Sequence, residues 1–204
     1  MLFRHIALVD SSHTVRHDQW LRTEGEIITG YGPENGLADG PADGQLTTEG
    51  PLLKKDEATY DGRGKLLVPG FYNLHCHVPM TLLRGYGEGL PLDRWLNELI
   101  FPYEAHLTGN DVYWATLAGA MDLIAGGSCS FSDMYFFTPD VARAVAESGL
   151  KANLSYSLSS SDDNFILEEH PAYIQTETVQ QTLDQLGGDR IKLDVSIHSE
   201  YTTT

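Results

Sequence analysis

Residues 66–85 read LLVPGFYNLHCHVPMTLLRG, and this stretch decides the fold. An apolar run opens it, Pro69-Gly70 breaks it, and a second apolar run ends in His75-Cys76-His77. Strand side chains alternate between two faces, so residues i and i+2 share one. The two imidazoles therefore lie together, while Cys76 points the other way, toward packing. Two neutral imidazoles at a strand end can hold a divalent ion, with zinc or iron suited to nitrogen donors. The bare spacing says little, since 8 histidines in 204 residues give roughly 0.3 such pairs by chance. The position at the end of a strand, after a Pro-Gly turn, carries the argument. The competing reading is a buried histidine pair with no ion.

Downstream the pattern changes to helices alternating with strands. Leu92, Trp95, Leu96, Leu99 and Ile100 fall at helical spacing until Pro102 interrupts them. Thr108 and Asp111 stand as in a capping box, and VYWATLAGAMDLIAGG runs on to a Gly-Gly stop. SCSFSDMYF, residues 128–136, is strand-like. Thr138-Pro139-Asp140 reads as a helix start with a threonine cap, and that helix ends at Gly149. LKANLSYSL is a strand, TETVQQTLDQLGG a helix, and IKLDVSIHSEY a strand. The order from residue 66 is thus β, α, β, α, β, α, β, which implies parallel βαβ units. The fold class is α/β, the N-terminal half of a (β/α)8 TIM-like barrel, because four strands are too few to close one. A doubly wound open sheet is the rival, but no GxGxxG or GxxxxGKS phosphate loop is present.

Residues 1 to about 31 read as short strands that need a sheet to join. Residues 32–58, rich in Gly, Pro, Asp and Glu, read as an exposed loop or insertion. Proteolysis is expected to begin within 33–56.

Composition sets outer limits. Hydrophobic residues make up 41% and charged residues 21%, which predicts a packed core instead of disorder. A formal charge of −16 argues against nucleic acid and anionic membranes as partners, though it leaves a neutral nucleoside open. Solubility is the plain reading of that charge. Two cysteines, Cys76 and Cys129, fit a reducing, cytoplasmic compartment. No signal-peptide pattern and no apolar run of membrane-spanning length is expected.

Three motifs in order, VPGFYNLHCHVPMTLLRG, LPLDRWLNELIFPYEAHLT and GGSCSFSDMYF, resemble the amidohydrolase superfamily. The resemblance is closest to the 5′-methylthioadenosine/S-adenosylhomocysteine deaminases and their chlorohydrolase relatives. It covers most of 60–204, and the first thirty residues resemble the opening of the family's β-sandwich. The division implied is 1–65, a partial β-sandwich with a loop-rich insertion, and 66–204, the first half of a metal-dependent hydrolase barrel.

The resemblance implies hydrolytic deamination of an adenosine-type nucleoside with a divalent metal, zinc or else iron. His75 and His77 match metal ligands. Glu104 matches the carboxylate that binds ribose hydroxyls, and His198 a histidine that contacts the substrate near the sugar. Read alone, Glu104 is rather a solvated loop acid, and His198 is equally a core histidine.

The sequence also departs from the family. Residues 151–170 contain no arginine, and Tyr156 stands near one place where the family holds an amino-acid carboxylate. Glu200 replaces a proline of the strand-four motif. Both point away from S-adenosylhomocysteine and toward a small or uncharged 5′ group. The family's remaining ligands and its proton shuttle belong to strands five, six and eight, past Thr204. The chain is therefore expected to bind metal weakly, to lack turnover alone, and to need a complementing C-terminal half or to self-associate. The alternatives are a fragment of a guanine, pterin or triazine amidohydrolase, and a non-catalytic half-barrel.

Overall fold

The computed structural model describes residues 1–36, 56–158, 164 and 166–197. They fall into two compact units, Met1–Pro69 and Gly70–Thr204.

The first unit is one sheet built around β1 (Leu2–Val9). This strand pairs antiparallel with β2 (Val15–Glu24), which pairs in turn with β3 (Ile27–Pro33). On its other side β1 runs parallel to β4 (Thr59–Asp61) and β5 (Leu66–Leu67). Leu2, Ile6 and Leu8 alternate inward and are buried, which is the period-two pattern of a half-buried strand. The β1–β2 turn is held by Asp10, whose carboxylate accepts the Ser12 and Thr14 N–H groups at 2.9 and 3.1 Å. Arg22 and Glu57 form a bidentate pair at 2.8 and 2.9 Å, both nearly buried, which ties β2 to the approach to β4. Of the expected loop, Glu34–Gly36 form a 3-10 turn with Glu34 buried and paired to Arg4. Residues 37–55 lie outside the described residues, and with them most of the segment expected to be cut first.

The second unit begins with β6 (Phe71–Cys76) and a 3-10 helix, Val78–Leu83. A helical segment follows: α1 (Leu92–Arg94), a π-helical stretch Trp95–Ile100, and α2 (Phe101–Glu104). Then come α3 (Gly109–Ala125), β7 (Ser128–Met134), α4 (Thr138–Ser148), β8 (Lys151–Ser155) and β9 (Ser157–Leu158). The described chain ends with α5 (Pro171–Leu186), β10 (Ile191–Leu193) and β11 (Ser196–Ile197). The main sheet has the order β10-β8-β7-β6, every pair parallel, and β9 and β11 pair parallel beyond it. Consecutive parallel strands joined through helices put all the strand C-termini on one edge.

The crossovers follow local signals. The capping box at Thr108 and Asp111 is complete: the Asp111 N–H donates to Thr108 Oγ1 and the Thr108 N–H donates to Asp111 Oδ2. Gly149 ends α4 in the left-handed region at φ 81°, a conformation glycine adopts without a Cβ clash. Two sequence expectations are corrected. Pro102 does not end its helix; the run continues through it to Glu104, with the turn before it π-helical, Trp95–Ile100. Thr138 is not the cap of α4: Phe137 holds that place, and Thr138 Oγ1 is buried with no hydrogen-bond partner among the described residues. The core between helices and sheet comprises Val112, Ala120, Phe131, Val141, Val145, Ala152 and Leu154, among others. At Gly119 a Cβ would fall 2.6 Å from Val78 Cγ1 and 3.0 Å from the Val78 carbonyl, so only glycine lets α3 lie this close to the turn after His77. Among the described residues no helix is long and apolar enough to cross a membrane.

Candidate active site

His75 closes β6 together with Cys76, and His77 leads into the 3-10 helix, so both imidazoles sit at the C-terminal edge of the sheet. Their ring centroids are 5.0 Å apart at 79°. His77 Nδ1 lies 2.6 Å from the Met134 carbonyl at the end of β7. A carbonyl only accepts, so Nδ1 carries the proton and the lone pair resides on Nε2. This N–H···O=C arrangement fixes both tautomer and ring orientation, as it does for metal-ligating histidines. Cys76 takes the opposite face, as expected from alternation: it packs against the core and its thiol donates to the Ser132 carbonyl at 3.2 Å. Burial and the neighbouring Asp133 push that thiol up to about 12, so it stays protonated at neutral pH.

Asp133, on β7, supports the turn from behind. Its Oδ1 accepts the Val78 N–H at 2.6 Å, immediately after His77. It is buried, and burial pushes its carboxyl up to about 7 against the pull of the Val78 hydrogen bond. Two residues further on, Tyr135 donates its hydroxyl to Glu104 Oε1 at 2.7 Å. Glu104, at the end of α2, is half-buried, and its carboxyl is raised by that burial and lowered by the tyrosine. Glu104 is thus a held carboxylate on the histidine edge, whereas its sequence alone allowed a solvated acid. Tyr135 itself is nearly buried, and burial followed by the Glu104 contact pushes its phenol well above the usual range.

An aromatic row continues along this edge. The Tyr135 ring lies 6.4 Å from that of His77 and 5.0 Å from Phe136, and Phe136 lies 5.9 Å from Tyr156. Tyr156 borders a pocket at the ends of β8 and β10, lined also by Tyr173, Val179, Leu193, Asp194 and Val195. His198 lies outside the described residues. Among the described residues no three His, Cys, Asp or Glu side chains come together as a metal site. Sequence reasoning missed Asp133, the Met134 carbonyl and Tyr135, although SFSDMYF was singled out. The available signal was that two polar side chains close a strand ending on the same edge as the histidines.

A parallel sheet with imidazoles at its strand C-termini is the arrangement in which barrel enzymes keep their chemistry. The chain belongs to the amidohydrolase family, whose profile matches residues 66–204. It is 40% identical over 157 residues to a 5-methylthioadenosine/S-adenosylhomocysteine deaminase of Dictyoglomus turgidum, covering 76% of this chain and 35% of that one. With a 5'-deoxyadenosine deaminase of Methanospirillum hungatei it shares 36% identity over 201 residues, covering 95% and 44%. Among solved structures, a Xanthomonas campestris adenosine deaminase with bound zinc superposes at a TM-score of 0.75 and 24% identity, over 100% of this chain and 44% of that one. The fold is therefore the first part of the amidohydrolase barrel, and the chain spans about a third to a half of the length of these relatives.

Proposed function

We propose that these residues form the N-terminal half of a metal-dependent deaminase that converts adenosine-type nucleosides to inosine-type products and ammonia. The first unit would belong to the small β-sandwich that accompanies such barrels. The observation that carries the reading is the His77 Nδ1–H bond to the Met134 carbonyl, which makes Nε2 the unprotonated nitrogen of a ring held beside His75. His75 and His77 would hold a divalent metal, zinc by the chemistry of the donors or else iron. Such an ion, when bound, supplies hydroxide at neutral pH by lowering the pKa of a coordinated water. Glu104 accepts the vicinal hydroxyls of ribose, for which a carboxylate with two acceptor oxygens is well matched. His198 adds a polar contact near the sugar.

The pocket beyond Tyr156 takes the 5′ substituent. Its lining is mostly apolar, Asp194 is its one charge among the described residues, and residues 151–170 contain no arginine. A small or uncharged 5′ group is therefore preferred over an amino-acid tail. A charge-assisted bond to such a tail is worth about 1.5–3 kcal/mol, and its absence weakens selection for the tail by about one to two powers of ten.

The test is ammonia release by residues 1–204 continued by the C-terminal portion that the relatives carry. Turnover of 5′-methylthioadenosine or 5′-deoxyadenosine, abolished by His75→Ala, is expected. A clear preference for S-adenosylhomocysteine would refute the 5′-group assignment. The 204-residue chain alone is expected to show no turnover and weak zinc binding, because two imidazoles complete only half of a four-coordinate site.

A further inference from the structure

We infer that Tyr135 is a positioning residue for sugar recognition: its hydroxyl, bonded to Glu104 Oε1, aims the carboxylate so that its other oxygen meets the ribose diol. This rests on the reading of Glu104 as the diol acceptor. Glu104 is the last residue of a helical run, Leu92–Glu104, and is half-buried at that helix end. Tyr135 is more tightly packed. It is 5% exposed and packs within the core cluster, and its backbone N–H donates to the Ser155 carbonyl at 3.3 Å. The 2.7 Å hydroxyl bond thus couples the acid at a helix end to a packed strand end.

A carboxylate offers two oxygens and about four lone-pair sites. The tyrosine takes one site on Oε1, and so fixes which oxygen faces a ligand. The same β7 end holds His77 through the Met134 carbonyl, so two consecutive residues set the metal side and the sugar side in fixed relation.

The inference is tested in the C-terminally continued form, with adenosine and 2′,3′-dideoxyadenosine as paired substrates. For Tyr135→Phe, KM for adenosine should rise about tenfold, the equivalent of one hydrogen bond of ordinary strength. Its kcat, its metal content and its KM for the dideoxy analogue should stay unchanged. Glu104→Gln separates the two readings. If it weakens both nucleosides equally, Glu104 is not the diol acceptor. If it weakens only adenosine while Tyr135→Phe weakens neither or both equally, the role of Tyr135 alone is overturned. Should the phenylalanine variant not fold, 3-fluorotyrosine at position 135 keeps the packing and alters the donor. A changed KM for adenosine alone then supports the inference, and unchanged KM values for both substrates overturn it.

Discussion

Strands β6 and β7 lie side by side in one parallel sheet, yet they live in different surroundings. β7 has a neighbour on each side, and its Phe131 and Asp133 are 2% and 3% exposed. β6 stands at the sheet edge, with Phe71, Tyr72 and Leu74 exposed, Leu74 by 79%. The candidate ligands His75 and His77 belong to the end of the edge strand, and the groups that orient the site belong to the inner one. The candidate ligands thus stand on a weakly covered strand, while the Met134 carbonyl, the Asp133 carboxylate and the Tyr135 hydroxyl that hold their surroundings come from a fully packed one or its end.

The sharpest way to break this contrast is to truncate the inner strand. Phe131→Ala should cost about 3–5 kcal/mol, because it removes a fully packed ring and leaves a cavity. Urea unfolding followed by circular dichroism measures it, and a loss under about 1 kcal/mol would show that β7 is not the packed strand described.

Asp133 sharpens the contrast through pH. Its folded-state carboxyl sits at about 7, above the ordinary value near 3.8. Between those values the folded chain holds a proton that the unfolded chain has lost, so stability falls as pH rises through this window and levels off above it. Asp133→Asn removes that dependence while leaving an acceptor for the Val78 N–H. The expected result is that the stability difference between wild type and variant shifts in favour of the variant from about pH 4 to about pH 7. A difference that is constant across the window would place the Asp133 titration elsewhere.

The crossover from β6 to β7 should respond less. Thr108→Ala dismantles the capping box of α3 and should cost about 0.5–2 kcal/mol, measured by the same urea titration. Helix α3 covers β7 and the turn after His77, so the loss is expected as global destabilisation without a change in the identity of the fold.

Much of this was legible before any coordinates. The β/α alternation, the Thr108 capping box and the Gly149 stop are local signals, because each depends on residues within a few positions of one another. So was the pairing of His75 with His77 on one face, since strand period alone dictates it. The links between elements were not legible: Tyr135 meets Glu104 across 31 positions and Asp133 meets Val78 across 55, and no periodicity encodes such distances. Thr138 misled because it stands beside Pro139, where a cap is usual, yet the left-handed Phe137 begins the helix instead. The burial of Glu34 against Arg4 was not visible in the composition of the segment around it.

The smallest effect belongs to the edge strand, and it is the most informative about completeness. Leu74 is 79% exposed, so Leu74→Ser in the 204-residue chain should change stability by less than about 0.5 kcal/mol. Relatives that carry the same fold are two to three times as long, and a strand with one free edge has room for a further partner. If the C-terminal portion covers β6, the same substitution in the continued form removes a buried leucine and should cost about 1.5–3 kcal/mol. Self-association gives a third signature: in the isolated chain, Leu74→Ser would then lower the sedimentation coefficient with little change in intrinsic stability. Equal, negligible effects in both forms, with no change in sedimentation, would mean that β6 stays an open edge. His75 and His77 would then be presented from a strand paired on one side alone, to β7.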